Sequence, residues 1–186
     1  MKKTLINILA IGVILIMGLG GCSAKDPNFG QIKGLENAAF AARFYKRDFF
    51  IEPEQIDVSE AFVSVINNKA ELSIWNETEQ QSGLLYNDID EWNNFYLEHI
   101  DIYDNDFFEK NQLVLIVFLD GLAFHNCSVN EIRFQDNVLY VNFETALVRK
   151  GCQSYGVFPA MPPVRLAVIE ITKITNNLKV EFSFFK

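Results

Sequence analysis

The chain has 186 residues, 49% of them hydrophobic and 13% aromatic, with 16 basic against 24 acidic side chains. That is the size of one ordinary domain with ample apolar material for a core, which excludes a disordered chain. The net charge of -8 argues against a nucleic-acid partner, whose phosphates need a basic face, and against a polybasic contact with lipid headgroups.

The first residues are Lys2 and Lys3, an apolar run over 5–19, then Gly20, Gly21 and Cys22. They reproduce the charged, apolar and small-residue regions of an export signal. The run is near the lower length limit for a membrane-spanning helix, so a plain transmembrane anchor is the rival reading. The ending Leu19-Gly20-Gly21-Cys22 resembles the lipobox of bacterial lipoprotein precursors. That resemblance implies diacylglycerol on the Cys22 thiol, removal of the leader 1–21, and a new amino group open to acylation. Two acyl chains suffice for stable anchoring, at about 0.8 kcal/mol per buried methylene. Without Lys2 and Lys3 the mature chain holds 14 basic against 24 acidic residues, a net charge of -10. The expected location is the cell membrane, on its extracytoplasmic side. Residues 22–37 include Pro27, Gly30 and Gly34 and read as a tether, leaving 38–186 as a single globular domain.

Along that domain, a strand is expected within 42–51, where the pattern also admits a helix, and another over 61–66. Asn68 with Glu71 resembles a capping box before Leu72 and Trp75, and Asp88 with Glu91 does the same before Trp92, Phe95, Tyr96 and His99. The spacing of Ile89, Trp92, Phe95 and Tyr96 puts them on one helical face. A third short helix is expected over 104–110, with Phe107 or Phe108 turned to the core. The apolar run 113–119 is too short to span lipid and reads as a central strand covered on both faces.

Two hairpins follow. Alternating segments around Asp136-Asn137 would pair Phe134 with Leu139, Arg133 with Tyr140, Ile132 with Val141, Glu131 with Asn142 and Asn130 with Phe143. Asn176-Asn177 would likewise pair Ile171 with Phe182 and Ile169 with Phe184, leaving Glu170, Thr172, Lys179, Glu181 and Ser183 on a polar face. The class is α+β: a largely antiparallel sheet of about six or seven strands, with two or three short helices inserted before the central strand.

Residues suited to chemistry are sparse. No serine sits in a G-x-S-x-G elbow, and neither Cys127 nor Cys152 has a recognisable histidine partner. Export permits a disulfide, and Cys127 with Cys152 allows one pairing; a bridge across about 25 residues and two thiols both fit the spacing. His99 on a helix and His125 at a loop or strand edge read as packed or solvated residues. The acidic stretch Asp88, Asp90, Glu91, Glu98, Asp101, Asp104 and Asp106 fails the calcium-loop template, because Trp92 or Phe108 falls at the fifth position. It reads as helix caps and solvated faces, and neither metal nor cofactor is expected. Phe158, Pro159, Met161, Pro162 and Pro163 form either an interaction loop or a stiff connector before the strand that starts at Val164.

Three stretches carry a further resemblance: Val63, Val65, Ile66, Asn68, Glu71 and Leu72; Tyr103, Asp104, Phe107, Phe108 and 113–119; and Val168, Ile169, Glu170, Ile171 and Lys173. Together they resemble the C-terminal domain of the protease-complex B subunit family, found in small bacterial lipoproteins. The segment 121–127 departs from that pattern by lacking its glycine- and serine-rich turn, so no functional residue carries over. The resemblance implies a non-catalytic surface protein, in some members attached to a secreted protease. The expected function is a lipid-anchored binding or accessory module contacting another envelope or secreted protein. The alternatives are a receptor for a small apolar or peptide ligand in a phenylalanine-lined pocket and, ranked last, a hydrolase.

Overall fold

A computed structural model describes residues 28–47, 62–83, 85–86, 88–119, 125–147 and 164–185. Among them the element order is β1 (Asn28–Lys33), β2 (Ala39–Arg47), β3 (Phe62–Ile66), α1 (Lys69–Ser82), α2 (Ile89–His99), α3 (Asn105–Lys110), β4 (Asn111–Leu119), β5 (His125–Gln135), β6 (Val138–Leu147), β7 (Val164–Thr172) and β8 (Lys179–Phe185). The strands form one sheet in the order β3-β4-β7-β2-β1-β5-β6-β8. It curls until nearly closed, so that the rings of Phe118 on β4 and Phe184 on β8 come within 5.1 Å. All odd-numbered strands run one way and all even-numbered strands the other, which makes β1·β5 and β6·β8 parallel and the remaining pairs antiparallel. The end where odd strands begin and even strands finish is called proximal below, and the opposite end distal.

Strand alternation sorts side chains into two cores. Ile32, Ala42, Val114, Ile116, Ile132, Val141, Phe143 and Ile169 fill the interior of the curled sheet. Leu113, Leu115, Leu166 and Val168 face the other way, against Leu72, Trp75, Trp92, Phe95 and Ile100 of the helical layer. β4 and β7 are therefore buried on both faces, which is why their sequences are near-continuous apolar runs.

The helix boundaries follow their caps. Asn68 accepts from the Glu71 N–H at 2.9 Å, and the Glu71 carboxylate reaches back to the Asn67 N–H at 2.7 Å. Asp88 accepts from the N–H groups of Asp90 and Glu91, and Asp104 from that of Phe107. Gly83 ends α1 in the left-handed conformation. Trp92, Phe95 and Tyr96 are buried, as is Phe108, but Ile89 on the same expected face is 59% exposed in the first turn of α2.

Four expectations change. First, the sheet has eight strands: the stretch read as tether contains β1, which pairs with β2 and β5. Its glycines supply space and a turn in place of flexibility. A Cβ on Gly30 would lie 2.5 Å from the Phe40 ring, and Gly34, at φ 89°, would put one 2.3 Å from the Phe134 carbonyl oxygen.

Second, the hairpin of β5 and β6 has the expected register from Gln135 to Glu131, with Asp136 and Asn137 both left-handed in its turn. Beyond that, a bulge at Asn130 pairs Phe143 with Val129. An unbroken ladder would turn Asn130 and Ser128 inward; the extra residue resets the alternation so that Val129 and Cys127 are buried.

Third, β7 and β8 do not form a hairpin. Both edges of β7 are taken, by β4 and β2, so the chain passes the Asn176-Asn177 turn and β8 pairs in parallel with β6. Phe182 and Phe184 still pack on the interior, against Phe143. Fourth, Glu170, expected on a polar face, is buried at 7% exposure because the helical layer covers that face of β7.

Candidate functional site

Cys22, Cys152, Phe158, Pro159, Met161, Pro162 and Pro163 lie outside the described residues, so the lipid anchor, the Cys127–Cys152 bridge and the interaction loop stay expectations. Cys127 is buried at 6% exposure, on the interior face of β5. His125 begins β5. His99 packs against the rings of Tyr45 and Phe95 at 4.9 and 5.0 Å; its Nε2 stands 3.8 Å from a carboxylate oxygen of the neighbouring Glu98. Burial pulls its pKa below the ordinary histidine value, with Glu98 opposing and Arg43 assisting. Asp88 and Asp104 of the acidic stretch are spent as caps, and Asp101 binds Lys69. Among the described residues no group of three or more His, Cys, Asp or Glu side chains could hold a metal.

The polar constellation that stands out is one the residue patterns did not single out. Arg43 on β2, Glu170 on β7 and Tyr103 in the link between α2 and α3 meet on the helix-covered face. The Arg43 guanidinium pairs with Glu170 Oε1 and donates to the Tyr103 hydroxyl oxygen at 2.9 Å. The Tyr103 O–H donates to the same Glu170 oxygen at 2.8 Å. Tyr103 and Glu170 are buried, and the Arg43 side chain is 22% exposed at the rim. Burial works against the Arg43 charge, but Tyr103 and Glu170 beside it more than offset that and raise its pKa. Burial, then the Glu170 charge, pushes the Tyr103 hydroxyl well above its ordinary value and keeps it a donor.

This triad ties two neighbouring strands to the helical layer. Lys69 reinforces it from α1, with Nζ 2.6 Å from Asp101 Oδ1, 3.0 Å from the Asp101 carbonyl and 3.1 Å from the Tyr103 carbonyl. The link that carries Tyr103 is thus held on both sides. The Tyr103 hydroxyl and the Glu170 carboxylate are both engaged, since the Tyr103 proton and the Arg43 charge converge on one Glu170 oxygen. The arrangement is suited to fixing position and poorly suited to moving a proton. One signal in the sequence pointed to it: Glu170 is the acidic residue within β7, a strand otherwise reading as covered on both faces, and such a charge needs a partner. Nothing in the sequence identified Arg43 and Tyr103 as that partner, because they lie 127 and 67 positions away.

Among the described residues no helix is long and apolar enough to cross a membrane. No protein-family model, no curated protein and no solved structure matches the chain.

Proposed function

We propose that the chain is a lipid-anchored binding or accessory module on the extracytoplasmic side of the cell membrane, acting without catalysis on another envelope or secreted protein. The observation that carries this reading is Leu19-Gly20-Gly21-Cys22 at the end of a charged and then apolar leader, directly before a segment that folds from Asn28 onward. The triad supports the non-catalytic part, since its charges are committed to one another. A secreted protease is the partner class implied by the resemblance described above, and its three segments are neighbours in space: β3 with the start of α1, α3 with β4, and β7.

The test is Cys22→Ser in cells fed labelled palmitate. Wild type takes up label and loses residues 1–21, whereas the variant accumulates as unlabelled precursor. An unlabelled wild type still starting at Met1 overturns the reading. Cross-linking on intact cells then identifies the partner; a copurifying small molecule with no reproducible protein would favour a ligand receptor instead.

A further inference from the structure

At the distal end two side-chain amides converge, each with a buried hydrogen-bonding group left over. The ladder between β3 and β4 closes on Ile66 opposite Leu113, so the next positions outward are Asn67 and Gln112. Gln112 shares the interior face of β4 with Val114 and Ile116 and is fully buried, at 0% exposure. Its Nε2 and the buried Oδ1 of Asn67 have no hydrogen-bond partner among the described residues. One is a donor and the other an acceptor.

Neither amide can turn over to satisfy the group it leaves. Asn67 Nδ2 donates to Glu71 Oε2 at 3.1 Å and to the Asn176 carbonyl at 3.5 Å, so a flipped amide would set its oxygen against two others. Gln112 Oε1 accepts from the Ile174 N–H at 2.9 Å, and a flip would set its NH2 against that donor. The backbone around them is pinned as well. Lys173 Nζ donates to the Phe108 carbonyl at 3.0 Å and to the Asn67 carbonyl at 3.4 Å, and the Lys173 N–H donates to the Lys110 carbonyl at 2.9 Å. Both amides therefore reach into one short link, 174–176, from the ends of neighbouring strands.

We infer that a single resident water sits between Asn67 and Gln112, accepting from Gln112 Nε2 and donating to Asn67 Oδ1. A buried amide group without a partner is costly, and one water satisfies both groups at once because it gives and takes hydrogen bonds. An apolar occupant would pair with neither group, and an anion could not donate to the Asn67 oxygen. The site lies where the curled sheet needs a tie. β3 and β8 are its edge strands and do not pair with each other, and the link 174–176 leads into β8. Asn67, the water and Gln112 thus join one edge and its neighbour β4 to the lead-in of the other edge.

The experiment is water–amide NOE and ROE spectroscopy on the full chain in detergent, with the glutamine and asparagine side-chain amides labelled with nitrogen-15. The Gln112 NH2 protons should show NOE and ROE cross-peaks to water of opposite sign, the signature of a long-lived bound water as distinct from proton exchange. Asn67→Ala removes the acceptor and leaves Gln112, so it should weaken that cross-peak several-fold while the Ile174 amide stays protected. Absence of the cross-peak at Gln112 in the wild type would overturn the water site, whatever the variant does. An undiminished cross-peak in Asn67→Ala would overturn the bridge to Asn67.

Discussion

The interior of the curled sheet and the layer beneath the helices share strands β4 and β7, yet they are filled by different means. Inside, Phe143 lies at the centre of a ring cluster, 5.7 Å from Phe44, 5.6 Å from Phe118 and 5.4 Å from Phe184. Beneath the helices, aromatic packing between Trp75 and Trp92 is joined by the Arg43–Tyr103–Glu170 triad and the Lys69 clamp. Apolar burial has no direction, so the inside of a strongly curled sheet can be filled by volume alone. A helical layer resting on a flat face could slide, and directional charge-assisted hydrogen bonds at its edge hold one placement. Burying the pair costs desolvation, so its contribution lies in specificity more than in net stability.

The comparison breaks most severely on the interior side. Phe143→Ala should cost about 4 kcal/mol, because a fully buried ring touching four others leaves a cavity that the paired strands around it cannot collapse into. Urea unfolding read by tryptophan fluorescence measures it.

A smaller loss is expected from Glu170→Gln, about 2 kcal/mol, less than for a fully buried pair because Arg43 is partly exposed at the rim. If the triad positions the helices, Arg43→Met combined with Glu170→Leu should recover most of that stability, while amide exchange in α2 and α3 stays faster than in wild type. Wild-type exchange in the double variant would show that the triad does not hold the layer.

The third prediction is a gain. Glu79 is buried on the core face of α1, and burial, opposed by a hydrogen bond from Ser82, raises its carboxyl to about 6 from the ordinary 4.5. Below pH 4.5 folded and unfolded chains both hold the proton and Glu79 contributes no penalty. As pH rises through 6 the unfolded state has already released it, so the native state bears a buried charge and loses about 2 kcal/mol. Glu79→Gln should therefore stabilise the protein by about 1–2 kcal/mol at pH 7, and by progressively less towards pH 4. Urea midpoints at the two pH values check the sign.

Local signals were the legible ones. The caps at Asn68, Asp88 and Asp104 start all three helices, and Asp136-Asn137 makes the turn it resembles, because each acts within a few residues of itself. The run 113–119 correctly announced a strand covered on both sides. Where a residue's meaning depended on a distant partner, reading along the chain failed. Gly30 and Gly34 resembled tether residues until Phe40 and Phe134 came against them. The alternation of β8 identified its buried face but not its neighbour, and Asn176-Asn177 looked like a hairpin turn although β7 had no free edge.

By itself, then, the sequence determined the three helices, most of the later strands with the greater part of their buried faces, an α+β class and an expected anchor at Cys22, since periodicity, capping and a leader are properties of contiguous residues. Tertiary structure alone decided that β1 joins the sheet, that β6 and β8 run in parallel, and that Arg43, Tyr103 and Glu170 meet. Those outcomes depend on which edges are still free once the sheet curls, and a side-chain pattern identifies a buried face without identifying the strand or helix that covers it.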